Sequence, residues 1–230
     1  MPTSKKLVWD KVGERLYETG VDRGVLYPQA ADGTYPLGIA WNGMTSFNEN
    51  PSGAEPTDLW ADNIKYLTLM SNEQYGGTLN AYTYPDEFMK HDGSFEIAPG
   101  VYAGQQTRKP FGFSFRTLIG NDTEGTDKGY KITLVYNCLA SPSGKDHSTV
   151  NDSPEAVEFS WEITTTPVEV KTKIGEGTDA KQIKPVSTIV IDSTKVTEAQ
   201  LTKIENALYG TDETDPYLPT PDQVIALLNS

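Results

Sequence analysis

Apolar and polar residues alternate along several short stretches of this sequence. Over 157–163 the residues facing one way are all apolar and those facing the other way are all polar. The same period of two recurs over 111–117, where three Phe share a face, and over 131–138, where three apolar residues and Cys138 share one. Each pattern predicts a strand with one buried side, and Cys138 is predicted to be a core residue.

Turn-forming residues separate these stretches. Residues 120–129 are polar and rich in Gly and Asp, which is typical of a hairpin connection. The flanking strands, 111–119 and 129–139, are therefore predicted to pair antiparallel. Further strands are predicted at 13–18, 23–28, 37–48, 59–70, 77–84 and 186–191. Eight or nine short strands predict a mainly β fold, either an antiparallel β-sandwich or a barrel.

Helical patterns are confined to a few places. A capping box formed by Thr197 and Gln200, followed by apolar residues at helical spacing, predicts a helix over about 197–209. A second C-terminal helix is predicted at about 220–229, and a short helix at 85–91 is predicted to flank the sheet.

Chain length favours one domain over 1–230. Within it, polar and turn-rich segments surround an apolar middle that contains Trp41, Met44 and Phe47, so about 28–58 is predicted to be a long excursion from the sheet. Residues 171–185 show no core pattern and are predicted to form a loop or a protruding hairpin.

Charge narrows the range of partners. The net charge of −13 disfavours proteins that bind nucleic acid or anionic membranes through bulk electrostatics. There is no apolar run of the roughly 18 residues that a membrane span needs, and the first residues do not resemble a secretory signal. The expectation is a protein that is made and kept in a cytoplasm.

Candidate chemistry is scarce. The sequence holds one cysteine, two histidines, no G-x-S-x-G motif and no phosphate-binding loop, and Gly175-Glu176-Gly177 is the one G-x-G. The acidic loop 122–127 lacks the spacing of a calcium-binding EF-hand. We therefore predict no catalytic residues, no cofactor and no metal, and expect that the protein is not an enzyme, although a carboxylate pair among 32 acidic residues stays open.

Several longer strings occur in a characteristic order along the chain. They lie at 9–27, 40–43, 61–66, 76–78, 81–88, 104–113, 120–125 and 159–162. Together they resemble the major tail proteins, or tail tube proteins, of long-tailed siphophages of Gram-positive bacteria. The resemblance extends over roughly residues 8 to 229 and is weakest at 171–185.

This resemblance implies a β-sandwich of the tail tube type with a flanking helix. Copies of such a protein form hexameric rings that stack into a hollow tube, through which the genome and the tape measure protein pass. It also implies tail tip and terminator proteins as partners, no catalysis, no specific binding of DNA, no membrane, and a place in the virion tail after assembly in the host cytoplasm.

In this family a long loop or hairpin and a terminal arm reach into neighbouring subunits, so 28–58 is the predicted contact element. We expect Trp41, Met44 and Phe47 to bury against a neighbour, and the subunit-contact candidates also include Trp9 and Tyr27. The alternative is that the three residues of the excursion cover the sheet of their own chain.

Net charge agrees with a conduit for DNA, because an acidic channel repels the polyanion that it conducts. An alternative function is a β-sandwich binding module on a phage particle or a cell surface, which recognises a glycan or a protein through exposed aromatic residues. Such a module stays monomeric or trimeric, whereas a tube subunit assembles. A tube surrounded by a contractile sheath is a variant that the sequence does not separate from the first hypothesis.

Overall fold

The computed structural model describes residues 6–145, 147, 149–150, 152, 156–175 and 181–229. The chain is mainly β, as predicted. The described strands are β1 Tyr17–Pro28, β2 Ile39–Trp41, β3 Met44–Glu49, β4 Pro56–Ala61, β5 Ile64–Met70, β6 Gly76–Ala81, β7 Phe95–Ala98, β8 Val101–Ala103, β9 Phe111–Asn121, β10 Gly125–Ala140, β11 Phe159–Thr165, β12 Lys173–Ile174, β13 Lys181–Gln182 and β14 Thr188–Asp192. The helices are α1 Met89–Asp92, which follows a 3-10 turn, α2 Glu198–Tyr209 and α3 Pro221–Asn229.

The largest sheet is antiparallel, with strand order β2-β1-β9-β10-β11-β6-β3. Its two end strands, β2 and β3, are separated along the chain by Asn42 and Gly43. Because β2 pairs with β1 and β3 pairs with β6, this short connection joins the two edges of the sheet through the chain itself, and the curved sheet is described below as a barrel. Strand β14 pairs with residues 131–135 of β10, and β11 pairs with residues 138–140 of the same strand.

One hydrophobic cluster fills the inside of the barrel. It is built from alternate residues of the strands and from Phe88, which precedes α1 and closes one end. Phe88 lies against Phe111 and Trp161, with ring centroids 5.5 Å and 5.1 Å apart. The other large members are Leu26, Trp41, Leu79, Phe113, Phe115, Val135 and Ile163.

A second cluster lies between the outer face of the barrel and the two C-terminal helices. It joins Ile132, Leu134 and Tyr136 of β10 to Ile204 and Leu208 of α2 and to neighbouring residues of α3. The helices thus cover the outside of β1, β9, β10 and β14, while the first cluster fills the inside.

Both C-terminal helices form where the sequence predicts them, and α2 has the predicted capping box. The Thr197 hydroxyl accepts from the Gln200 amide at 3.3 Å, and the Gln200 side chain accepts from the Thr197 amide at 3.1 Å. Cys138 is buried as predicted, but on the opposite side of β10 from Tyr136. The register shifts between Val135 and Cys138, and Asn137 adopts a φ of 50°, so this bulge turns Cys138 into the barrel.

Several predicted strands have different limits in the structure. The segments 13–18 and 23–28 contribute to one bulged strand, β1, and 37–48 divides into β2 and β3. The predicted strand 59–70 is part of the β4–β5 hairpin, and the β7–β8 hairpin was not predicted. The described part of 171–185 forms the pair β12–β13, as expected of a protruding hairpin.

Candidate subunit-contact surface

Large apolar side chains that face solvent are concentrated in three extensions of the barrel. We define the N-terminal arm as residues 6–16, and the other two extensions are the β4–β5 and β7–β8 hairpins. The exposed apolar residues of these extensions are Leu7, Val8, Trp9, Val12, Leu16, Leu59, Trp60, Ile64, Tyr66, Leu67, Leu69, Met70, Phe95, Ile97, Val101 and Tyr102.

The β4–β5 hairpin is exposed along every residue of both strands. Asp62 and Asn63 at its tip both have positive φ, 51° and 60°, as a two-residue hairpin turn of the type I′ class requires. The Asp58 carboxylate holds the pairing by accepting from the Lys65 ammonium and from the Thr68 hydroxyl, each at 2.7 Å.

Apolar residues occupy both faces of this hairpin. Leu59 and Leu67 are direct cross-strand partners on one face, and Pro56 and Met70 are partners on the other. A two-stranded hairpin is marginally stable when it is isolated in water. The exposed faces of β4–β5 are therefore suited to packing against another surface.

The β7–β8 hairpin projects from the segment that closes the barrel. Hydrogen bonds fix its base: the Arg108 guanidinium donates to the Asp92 carbonyl at 3.0 Å, and the Gln106 amide donates to the Gly93 carbonyl at 2.9 Å. His91 Nδ1 lies 2.7 Å from the Lys109 carbonyl oxygen, and burial lowers the pKa of this imidazole. The hairpin thus extends from a base that several hydrogen bonds hold together.

The N-terminal arm is fastened at its C-terminal end to the turn between β9 and β10. The buried Asn121 amide donates to the Gly13 carbonyl at 3.1 Å, and the Asp122 carboxylate accepts from the Gly13 amide at 2.9 Å. Gly13 has a φ of 86°, a left-handed conformation that favours glycine. These polar contacts hold the arm in place while its apolar side chains stay exposed.

Two of the predicted contact residues lie in the interior instead. Tyr27 is 0% exposed, and its hydroxyl donates to the Leu208 carbonyl at 2.9 Å, below α2. Trp41 is 4% exposed inside the barrel, where its indole N–H donates to the Thr83 carbonyl at 2.9 Å. Neither side chain has surface left for a neighbouring subunit, so the prediction that they contact one is corrected to a role in the core.

Met44 and Phe47 are half-buried and pack against the barrel interior. Phe47 stacks on Phe115 with ring centroids 4.6 Å apart. The alternative interpretation, that the apolar residues of the excursion cover their own sheet, therefore describes all three. Trp9 is 74% exposed and remains a contact candidate.

The 28–58 segment is thus only partly an excursion, because 39–49 contributes the strands that close the barrel. The part that projects from the barrel is the β4–β5 hairpin, which follows residues 39–49. Sequence reasoning treated 59–70 as one strand and overlooked the Asp62-Asn63 turn, which is the signal that could have revealed the hairpin.

The outer face of β11, β6 and β3 is polar. Ser160, Asn80 and Ser46 lie in one cross-strand row, and Glu162, Thr78 and Asn48 lie in the next. None of these three strands, all fully described, contains Lys or Arg. This face therefore presents short hydrogen-bonding side chains and the negative charge of Glu162.

Two observations concern metal binding and the reactivity of the cysteine. The described residues include no group of three or more His, Cys, Asp or Glu that could hold a metal ion. Cys138 is buried, and desolvation raises the pKa of its thiol, which disfavours the reactive thiolate.

Among the residues that the structure describes, no helix has the length and apolar character needed to cross a membrane.

No protein-family model matches the sequence, and no curated protein matches it. Among solved structures, the chain is similar to one in the baseplate of the anti-feeding prophage, with a TM-score of 0.37 and 7% identity over 83% of this chain and 100% of the other. It is also similar to a chain of the sheath-tube complex of an extracellular contractile injection system, PVC, in its extended state, with a TM-score of 0.33 and 12% identity over 74% of this chain and 88% of the other. Both similarities are distant, so function is argued from the chain's own geometry.

Proposed function

We propose that this chain is a structural subunit of a phage tail tube, with hexameric rings that stack around a channel and no catalytic activity. The observation that carries the proposal is the concentration of exposed apolar side chains on the arm and the two hairpins, outside a closed and well-packed barrel. The hexameric number and the channel come from the sequence resemblance.

The amount of exposed surface supports assembly. The accessible area of the chain is 15258 Å². A compact monomer of 25.3 kDa is expected to expose roughly 10,300 Å². The exposed apolar side chains of the arm and the two hairpins contribute to this larger area. Exposed apolar surface on extensions of this kind marks interaction sites in soluble proteins.

The positions of the extensions favour rings and stacks. The arm lies beside Asn121 at one end of β9, whereas the β7–β8 hairpin lies next to the segment that packs on Phe111 at the other end. Contacts between different surfaces of identical subunits are heterologous and can repeat from copy to copy. Such contacts build closed rings and linear stacks.

The polar face of β11, β6 and β3 is the surface that we assign to the channel. It carries Glu162, with Glu158 directly before β11, and no basic residue along its three strands. A DNA conduit needs a wall that does not capture phosphate, since each captured phosphate adds binding free energy through counterion release. The tape measure protein and the genome would pass this face, and tail tip and terminator proteins would cap the tube in the virion.

The first test is negative-stain electron microscopy of the purified protein over a concentration series. We expect rings or hollow tubes to appear as concentration rises, with sedimentation velocity showing the matching loss of monomer. A protein that sediments as a monomer at every concentration, and binds a glycan or a cell-surface protein through its exposed aromatic residues, would contradict the proposal in favour of a binding module.

A further inference from the structure

A cleft lies between α1 and the β7–β8 hairpin. Its volume is about 330 Å³, and its apolar lining includes Met89, Phe95 and Tyr102. Asp86 and Glu96 add negative charge to its rim, where Lys90 is the one basic lining residue. Phe95 is 62% exposed, so the cleft presents apolar surface without a cover from the described part of the chain.

The N-terminal arm has the complementary character. Leu7, Val8 and Trp9 are exposed, and Lys6 and Lys11 give the segment 6–12 a net positive charge against a single Asp10. Tryptophan is among the residues that most often dominate binding energy at interfaces, because it buries a large apolar area with few rotatable bonds.

The arm and the cleft lie at opposite ends of the barrel. The arm is fastened beside Asn121, at the end of β9, and the cleft borders the segment that packs on Phe111, at its start. The ten steps between these residues span about 34 Å at the rise of a β-strand. The seven residues of 6–12 reach at most about 25 Å when fully extended. The arm is therefore too short for the cleft of its own chain.

We infer that the cleft between α1 and β7–β8 receives the N-terminal arm of a second copy, with Trp9 against Phe95 and Tyr102 and Lys11 near Glu96. This inference rests on the proposed self-assembly and adds to it a receiving site and a direction. Because the arm and the cleft lie at opposite ends of the barrel, the contact joins copies head to tail along the direction of β9.

The test is a titration of the full-length protein with a fluorescent synthetic peptide of residues 6–12, followed by fluorescence anisotropy. The protein is kept below the concentration at which it associates, so that the cleft is free. We expect saturable binding that weakens at least tenfold when Tyr102→Ala or Glu96→Lys is introduced. Both positions are exposed, and circular dichroism checks that the variants fold.

Matched controls separate the cleft from general charge effects. Glu198→Lys makes the same charge change on the exposed start of α2 and should leave peptide binding within twofold of the wild type. A peptide carrying Lys11→Glu should bind Glu96→Lys more tightly than the unmodified peptide does. A peptide carrying Trp9→Ala should lose binding to the wild-type protein at least tenfold.

Failure of this inference and failure of the proposed function give different results. Rings in the electron microscope without peptide binding, or with binding that neither cleft variant weakens, would overturn the arm-and-cleft contact and leave the tube proposal standing. Cleft-dependent peptide binding by a protein that never forms rings would support the contact and contradict the tube.

Discussion

The ion pair between Asp22 and Arg116 fastens β1 to β9 next to α2. The guanidinium donates to both carboxylate oxygens of Asp22, at 2.7 Å and 2.5 Å, and lies 5.0 Å from the centroid of the Tyr130 ring. The Tyr130 hydroxyl donates in turn to Glu205 of α2 at 2.8 Å. The hydrogen bonds from Arg116 lower the pKa of Asp22 despite partial burial.

A folded-state pKa below that of the unfolded chain stabilises the fold at neutral pH. This stabilisation is present above the unfolded pKa near 4 and is lost as the pH falls through the folded pKa. Asp22→Asn should therefore cost about 1 kcal/mol at pH 7, a value reduced because Asp22 is partly exposed, and progressively less below about pH 4. Urea unfolding at a series of pH values measures this. Glu124→Gln, at an exposed pair with Lys128, is the control with little effect, and an equal loss for Asp22→Asn at every pH would contradict the prediction.

Trp41 and Trp60 should respond to truncation in opposite ways. Trp41→Ala leaves a cavity among Phe88, Phe113 and Trp161 and should cost about 3–5 kcal/mol of unfolding free energy. Trp60 is 68% exposed on β4, so Trp60→Ala should leave monomer stability within about 0.5 kcal/mol and weaken self-association. Chemical denaturation and sedimentation velocity separate the two effects. Weakened association of a fully stable Trp41→Ala protein would restore the contact role predicted from the sequence.

At the level of elements, alternation predicted most of the barrel because alternate residues of its strands face the inner core. It failed where geometry departs from a regular strand. The bulge at Asn137 reverses the face of Cys138, and nothing in an alternating pattern marks that extra residue. The contact residues were harder to predict, since an apolar side chain in a polar stretch can cover its own sheet, as Trp41 does, or face solvent, as Trp60 does.

The β4–β5 hairpin should be removable without loss of the barrel. Its base is closed by the bridge between Ser52 and Gln74, where two backbone hydrogen bonds of 2.9 Å and 2.7 Å hold the chain ends together. Replacing residues 55–71 with Gly-Gly should leave the melting temperature within a few degrees and abolish ring formation. Thermal unfolding and electron microscopy test this, and a shortened chain that still forms rings would show that β4–β5 is not a subunit contact.

At the scale of the whole molecule, copies with a net charge of −13 repel one another until salt screens them. Raising ionic strength from about 10 mM to about 150 mM shortens the screening length from about 30 Å to about 8 Å. Association should therefore strengthen over this range, as seen by turbidity or sedimentation. A steady weakening with salt would mean that attractive ion pairs, rather than apolar extensions, hold the copies together.

Closure of the barrel also has a consequence for how the chain folds. Its pairings join residues far apart in sequence, such as Asn80 with Ser160 and Leu26 with Phe113. Barrels with many such distant pairings fold slowly, on a timescale of about milliseconds to seconds, because the intervening loops must close first. During that time both cores and the apolar extensions are exposed together. Refolding yield should therefore depend on dilution, and each barrel has to be complete before neighbouring chains meet.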